Sequence, residues 1–159
     1  MPATFDEFFK AATGNSPYDY QRRLAGAPME GTARSGPFPC RSQLISIPTG
    51  LGKTAAVVLA WLGNRLRSQS VTLKEPWPRR RVYCLPMRTL VEQTRDEVMR
   101  WIGNLEISAA ELGLDETARA QLAWLKTHSP MILMGGEEND SARREWDIHP
   151  ERPAILIGT

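Results

Sequence analysis

Eight consecutive residues, Ile47-Pro48-Thr49-Gly50-Leu51-Gly52-Lys53-Thr54, bring two glycines, a lysine and a threonine into one short stretch. Such a stretch can hold a chain of phosphates. Glycines let the backbone curl so that successive N–H groups point toward one centre, and a helix opening at the end of the loop adds the positive end of its dipole. The contacts expected for a nucleotide are Thr49, Gly50, Leu51, Gly52 and Ala55, with Lys53 reaching the β- and γ-phosphates and the Thr54 hydroxyl ligating magnesium. Lys53 and Thr54 are the pair on which chemistry would rest. The strict pattern G-x-x-x-x-G-K-[ST] has glycine where Ile47 stands. The bland alternative is a glycine-rich turn whose lysine is merely solvated, and what favours the phosphate loop is its setting between a strand and a helix.

That setting can be read from the flanking residues. Leu44-Ile45-Ser46-Ile47 is an apolar run that predicts a strand, and from Lys53 to about Arg67 the pattern is helical. Arg81-Val82-Tyr83-Cys84-Leu85 predicts a second strand, followed by a helix whose face is Leu90, Val91, Thr94, Val98, Trp101 and Ile102. Residues 104–128 read as helical with Asp115 as a possible cap, and Met131–Met134 and Ala154–Ile157 predict two more strands. Strands that are nearly continuous in apolar residues and alternate with helices predict an α/β fold with a parallel sheet covered on both faces. Upstream, Thr4-Phe5-Asp6-Glu7 has the form of a capping box, with Phe5, Phe8, Phe9 and Ala12 at helical spacing up to Gly14. Ser16-Pro17 predicts the start of a second short helix, and residues 26–43 read as a loop. The expected division is an N-terminal segment, 1–43, and a nucleotide-binding unit, 44–159.

Composition sets the outer limits. A chain of 159 residues with 42% hydrophobic content can bury one core and is too short for two full domains. Its longest apolar run, Ala55–Leu62, is far below the ~18 to 20 residues of a membrane span, and the first residues lack the pattern of a signal peptide. No membrane partner and a cytoplasmic location are expected. Cys40 and Cys84 stand far apart, which excludes a disulfide framework and predicts two buried thiols. A net charge of +2 announces no nucleic-acid binder. His128 and His149 lack metal-ligand spacing, and Trp61 and Trp101 fall on apolar helix faces. The Arg79-Arg80-Arg81 run fits a solvated strand edge as well as a phosphate contact.

Pro48-Thr49-Gly50-Leu51-Gly52-Lys53-Thr54 resembles the phosphate loop of superfamily 2 helicases, and further segments extend the likeness. Pro86-Met87-Arg88-Thr89-Leu90-Val91-Glu92-Gln93 resembles motif Ia of that superfamily, which implies backbone contacts to nucleic acid from Arg88 and Thr89. Gly135-Gly136 resembles the paired glycines and Gly158-Thr159 resembles motif Ib, both nucleic-acid-binding by that likeness, while Tyr20-Gln21 resembles the adenine-reading glutamine. More narrowly, IPTGLGKTA, YCLPMRTLVEQT, LMGGE and AILIGT look like the helicase of type I CRISPR systems, in its type I-G form. The resemblance implies the first RecA-like domain of an ATP-dependent helicase, with ATP and magnesium as cofactors. It also implies single-stranded DNA and the CRISPR surveillance complex as partners, with 3′-to-5′ movement.

Hydrolysis in such enzymes also uses a strand ending in Asp-Glu. The chain has Asp96-Glu97 inside a predicted helix and Asp115-Glu116 at the start of another, so neither fits, and the expectation is an incomplete domain that binds ATP without turnover. Two other classes remain open at this point. One is a nucleotide or small-molecule kinase with the same loop, and the other is an inert piece that needs a missing half.

Overall fold

The computed structural model describes residues 3–27, 39–66, 77–133 and 145–159. The N-terminus is α1 (Phe5–Thr13), set by the expected capping box: the Thr4 N–H donates to Glu7 Oε2 at 2.7 Å, and the Glu7 N–H donates to Thr4 Oγ1 at 3.3 Å. Gly14 ends it with φ of 80°, a left-handed value that glycine adopts without a Cβ penalty. The second helix, α2 (Asp19–Ala25), begins later than Ser16-Pro17 suggests. Its cap is Tyr18, whose N–H donates to Gln21 Oε1 at 2.8 Å. The glutamine side chain reaches back to the cap's own N–H, a different bond from the one a serine cap makes to an N–H inside the first turn.

α3 (Lys53–Leu66) opens directly on the lysine and threonine of the loop. It is apolar nearly all round, with Ala56, Val58, Leu59, Trp61 and Leu62 buried, because α2, α1 and α5 pack around it. β1 (Arg80–Cys84) leads into α4 (Arg88–Ile107), which buries Val91, Thr94, Val98, Trp101, Ile102 and Leu105 at helical spacing. The helical stretch expected over 104–128 is interrupted between Ile107 and Glu116, where Gly113 takes φ of 62°, and resumes as α5 (Glu116–His128). Asp115 caps α5 as expected, its Oδ1 accepting from the Ala118 N–H at 2.7 Å. β2 (Met131–Leu133), α6 (Glu145–Ile148) and β3 (Ala154–Gly158) complete the order.

The three strands form one parallel sheet in the order β1-β3-β2, with Arg80 opposite Ala154 and Met131 opposite Leu156. Strand parity divides the residues of the sheet between two faces. Ile155 and Ile157 join the main core with Trp61, Val98, Ile102, Leu122 and Leu125, while Met131, Ala154 and Leu156 form a small cluster on the other side. That second face is covered less than expected, since Val82 is 57% exposed. Cys84 shares its side of β1 and is exposed, as is Cys40, so neither is the buried thiol expected.

The strand expected at Leu44–Ile47 is absent. Residues 39–48 form neither helix nor strand, and Leu44 is 96% exposed. A strand exists only through its hydrogen-bonding neighbour, and among the described residues nothing pairs with this segment, so its apolar pattern leads to the loop without forming a strand. Among the described residues no helix is long and apolar enough to cross a membrane.

Candidate functional site

The segment after Pro48 turns sharply at two glycines, Gly50 with φ of 85° and Gly52 with φ of 71°. Both lie in the left-handed region, which side chains with a Cβ adopt only under strain. Gly52 is tied to its type for a second reason: a Cβ there would lie 2.9 Å from Gln21 Nε2. The loop delivers Lys53 and Thr54 to the first turn of α3, where the N-terminal N–H groups lack partners within the helix. This is the strand-free version of the arrangement the sequence predicts, with loop and helix in place.

Lys53 is folded back over the loop. Its Nζ donates to the Ile47 carbonyl at 2.7 Å and to the Pro48 carbonyl at 3.0 Å, which keeps the positive charge at the mouth of the turn. Phosphate oxygens are stronger acceptors for this ammonium than the carbonyls, because they add the attraction of a full opposite charge to a bond whose donor is already ionised. Thr54 Oγ1 lies 3.3 Å from the Tyr83 hydroxyl, which ties the head of α3 to β1. A cavity of about 830 Å³ opens here, lined by Thr49, Gly50, Gly52, Lys53, Thr54 and Ala55 from the loop and by Tyr18 and Gln21 from α2. Leu85, Thr94 and Arg100 form its far wall. The volume suits a nucleotide-sized ligand.

Gln21 is 2% exposed and its amide is engaged by the protein. Its Oε1 accepts from the Tyr18 N–H, and its Nε2 donates to the Gly52 carbonyl at 3.0 Å and to the Tyr20 hydroxyl at 3.3 Å. Both Nε2 hydrogens are thereby used, so a base could meet this side chain only through the remaining lone pair of Oε1. Tyr20 in turn donates to the Leu51 carbonyl, and burial raises its pKa above the ordinary tyrosine value. Sequence reasoning placed Tyr20 beside the glutamine and Tyr83 in a strand but gave neither hydroxyl a role. No periodic signal marks a hydroxyl that acts on backbone 31 residues away.

Magnesium fits what is present. Among the described residues no group of three or more His, Cys, Asp or Glu could form a protein cage for a metal. The ion would rest on Thr54 Oγ1, phosphate oxygens and water, which is how magnesium is commonly held beside a nucleotide. When bound, it would supply positive charge that offsets the charge of the phosphates. The two Asp-Glu pairs lie elsewhere: Asp96 pairs with Arg95 and Glu97 with Arg100 on α4, and Asp115 caps α5.

Arg88 and Thr89 stand exposed in the first turn of α4, immediately beyond the end of β1. Gly158 and Thr159 stand at or beyond the end of β3, and parallel pairing of Cys84 with Gly158 places both sets at the C-terminal end of the sheet's strands. Gly158 also has a packing reason to be glycine, since a Cβ there would overlap the Leu133 carbonyl. Gly135 and Gly136 lie outside the described residues. Of the other basic candidates, Arg81 sits over the Tyr83 ring at 5.7 Å, and burial lowers the pKa of its guanidinium. His128 stacks on Trp124 at 3.8 Å, a packing role in keeping with its lack of metal-ligand spacing.

Comparison with known proteins follows the same line. A family model described as DEAD/DEAH box helicase matches residues 29–152, a span that holds the loop, Arg88 and Thr89 and leaves out Gln21, Gly158 and Thr159. No curated protein and no solved structure gave a match. Because the family model covers well over half of the 159 residues, and the α/β fold with its parallel sheet agrees with a partial RecA-like domain, the chain belongs to the DEAD/DEAH box helicase family of superfamily 2.

Proposed function

We propose that this chain forms the ATP-binding part of an ATP-dependent DNA helicase, and that the enzyme is the helicase-nuclease of a type I CRISPR system, of the I-G form. The observation that carries the nucleotide role is the loop itself: two left-handed glycines deliver Lys53 and Thr54 to the head of α3, inside a cavity of nucleotide size. Gln21, Thr49, Gly50, Leu51, Gly52 and Ala55 complete the ATP site in this reading, with magnesium on Thr54. Family membership favours a helicase over a kinase with the same loop. The CRISPR assignment rests on the four sequence segments that resemble that family. From it come the surveillance complex as partner and 3′-to-5′ movement on single-stranded DNA.

The deciding experiment is a phosphate-release assay combined with titration of labelled ATP. The chain as it stands is expected to bind Mg-ATP and to release no phosphate above background, with or without single-stranded DNA, because neither Asp-Glu pair ends a strand: Asp96 and Glu97 lie inside α4 and Asp115 caps α5. Joined to a strand-ending Asp-Glu and a second RecA-like domain, it gains DNA-stimulated hydrolysis, to which an arginine finger contributes a factor of about 10³ to 10⁵. Hydrolysis by the chain alone, stopped by Lys53→Ala, would make one of its own Asp-Glu pairs catalytic and end the reading.

Nucleic-acid contact is assigned to Arg88 and Thr89, with Gly135, Gly136, Gly158 and Thr159 as further backbone contacts. A phosphate contact adds affinity without sequence preference and makes binding fall with salt. Arg88→Ala in the DNA-binding enzyme is therefore expected to weaken single-strand binding evenly across sequences and to reduce the salt slope by about 1. An unchanged slope would assign Arg88 to the protein's own packing.

A further inference from the structure

The two central carbonyls of the phosphate loop are held by consecutive residues of α2. Tyr20 donates its phenolic hydrogen to the Leu51 carbonyl, and Gln21 Nε2 donates to the Gly52 carbonyl at 3.0 Å. The cis peptide recorded in the backbone is Ser129-Pro130, so the loop peptides are trans. In a planar trans peptide the N–H points opposite to the C=O. Turning the Leu51 carbonyl toward Tyr20 therefore turns the Gly52 N–H away from it, and the Gly52 carbonyl does the same for the Lys53 N–H. Two successive N–H groups are thus turned away from α2, an arrangement that receives an anion. Neither has a hydrogen-bond partner among the described residues.

For the Lys53 N–H the helix itself helps to set the orientation, since the Gly52 carbonyl also accepts from the Ala56 N–H at 2.9 Å, whereas nothing in the local chain does so for the Gly52 N–H. Leu51 lies between Gly50 and Gly52, and glycine enters left- and right-handed backbone regions about equally well, so the Leu51-Gly52 peptide could rotate at little cost. We infer that Tyr20 is a positioning residue of the phosphate site, whose hydroxyl locks the Leu51-Gly52 peptide so that the Gly52 N–H stays aimed at the bound phosphate. Gln21 Nε2, 3.3 Å from the Tyr20 hydroxyl, holds that hydroxyl in turn. The inference rests on the phosphate-site reading and adds a prediction that reading does not make. Since the latch acts on backbone, its loss affects every phosphate chain equally, whatever base is attached.

The test compares the 159-residue chain with its Tyr20→Phe variant by calorimetric titration with Mg-ATP and with Mg-tripolyphosphate. The phenyl ring is kept and only the hydroxyl is lost. Both ligands are expected to bind roughly threefold to tenfold more weakly to the variant, by the same factor. Equal affinities for chain and variant would overturn the latch while leaving the phosphate site intact. A loss confined to ATP would place the hydroxyl on the nucleoside and overturn it as well. If the unaltered chain binds neither ligand, the phosphate-site reading falls and takes the latch with it. A second measurement covers a variant that fails to fold: in the unaltered chain, the carbonyl carbon signal of Leu51 should move in step with the Tyr20 ring as it ionises. A carbonyl signal that stays still through that titration would refute the hydrogen bond.

Discussion

Replacing Lys53 by alanine is expected to leave the chain folded and to remove measurable binding of Mg-ATP. In the free chain the ammonium group donates to the Ile47 and Pro48 carbonyls, both at the mouth of the loop. Binding exchanges these neutral acceptors for phosphate oxygens, and each bond to a charged group contributes about 1.5 to 3 kcal/mol. The weaker bonds given up offset part of that gain. A net loss of about 3 kcal/mol is roughly two orders of magnitude in affinity, enough to take a weakly binding site out of range of a fluorescence titration. Alanine is also a good first-turn helix residue, so α3 should persist and its melting should change little. Equal affinity for ATP in the two proteins would remove Lys53 from the site and return the loop to a glycine-rich turn.

The second large effect is on stability. Trp61 lies two turns into α3, is buried among the residues of the main core, and donates its indole N–H to the Pro78 carbonyl at 2.7 Å. It therefore fastens the helix that carries Lys53 to the segment entering β1. Trp61→Ala removes the largest fully buried side chain among the described residues and leaves Pro78 without its donor, and truncations of this kind cost about 3 to 5 kcal/mol. Single domains have only about 5 to 15 kcal/mol in total, so the variant should lose a large fraction of its stability and unfold at a much lower urea concentration. Trp61→Phe keeps most of the packing and loses the hydrogen bond, and should lie between the two in urea denaturation. A loss below about 1 kcal/mol for Trp61→Ala would mean that the site can collapse and that α3 is held mainly by its other contacts.

The phosphate loop was legible because its requirements are local. Gly50, Gly52, Lys53 and Thr54 state a turn, a helix start and a charge within a few residues, and no distant neighbour is needed to read them. The same holds for the Thr4 capping box, the Gly14 stop, the Asp115 cap and the buried face of α4, each set by spacing along one helix. Parallel pairing of β1, β2 and β3 followed from the alternation of apolar runs with helices.

What could not be read depends on partners remote in sequence. An apolar run such as Leu44–Ile47 states a capacity to pair, but whether it becomes a strand depends on a neighbour being present beside it, and here none of the described residues takes that place. Cys84 looks buried in a strand of apolar residues, yet parity places it with exposed Val82 on the thinly covered face of an edge strand. Ser16 has the right type for a cap, but the Gln21 side chain reached the Tyr18 N–H instead, and that same amide was carried on to Gly52. The phosphate loop and the helix it opens could be read directly, since both are written in residues a few positions apart. That Tyr20 and Gln21 grip the loop's carbonyls and that Tyr83 meets Thr54 emerged from packing alone, because hydrogen bonds between segments about 30 residues apart exist only once those segments have been brought together.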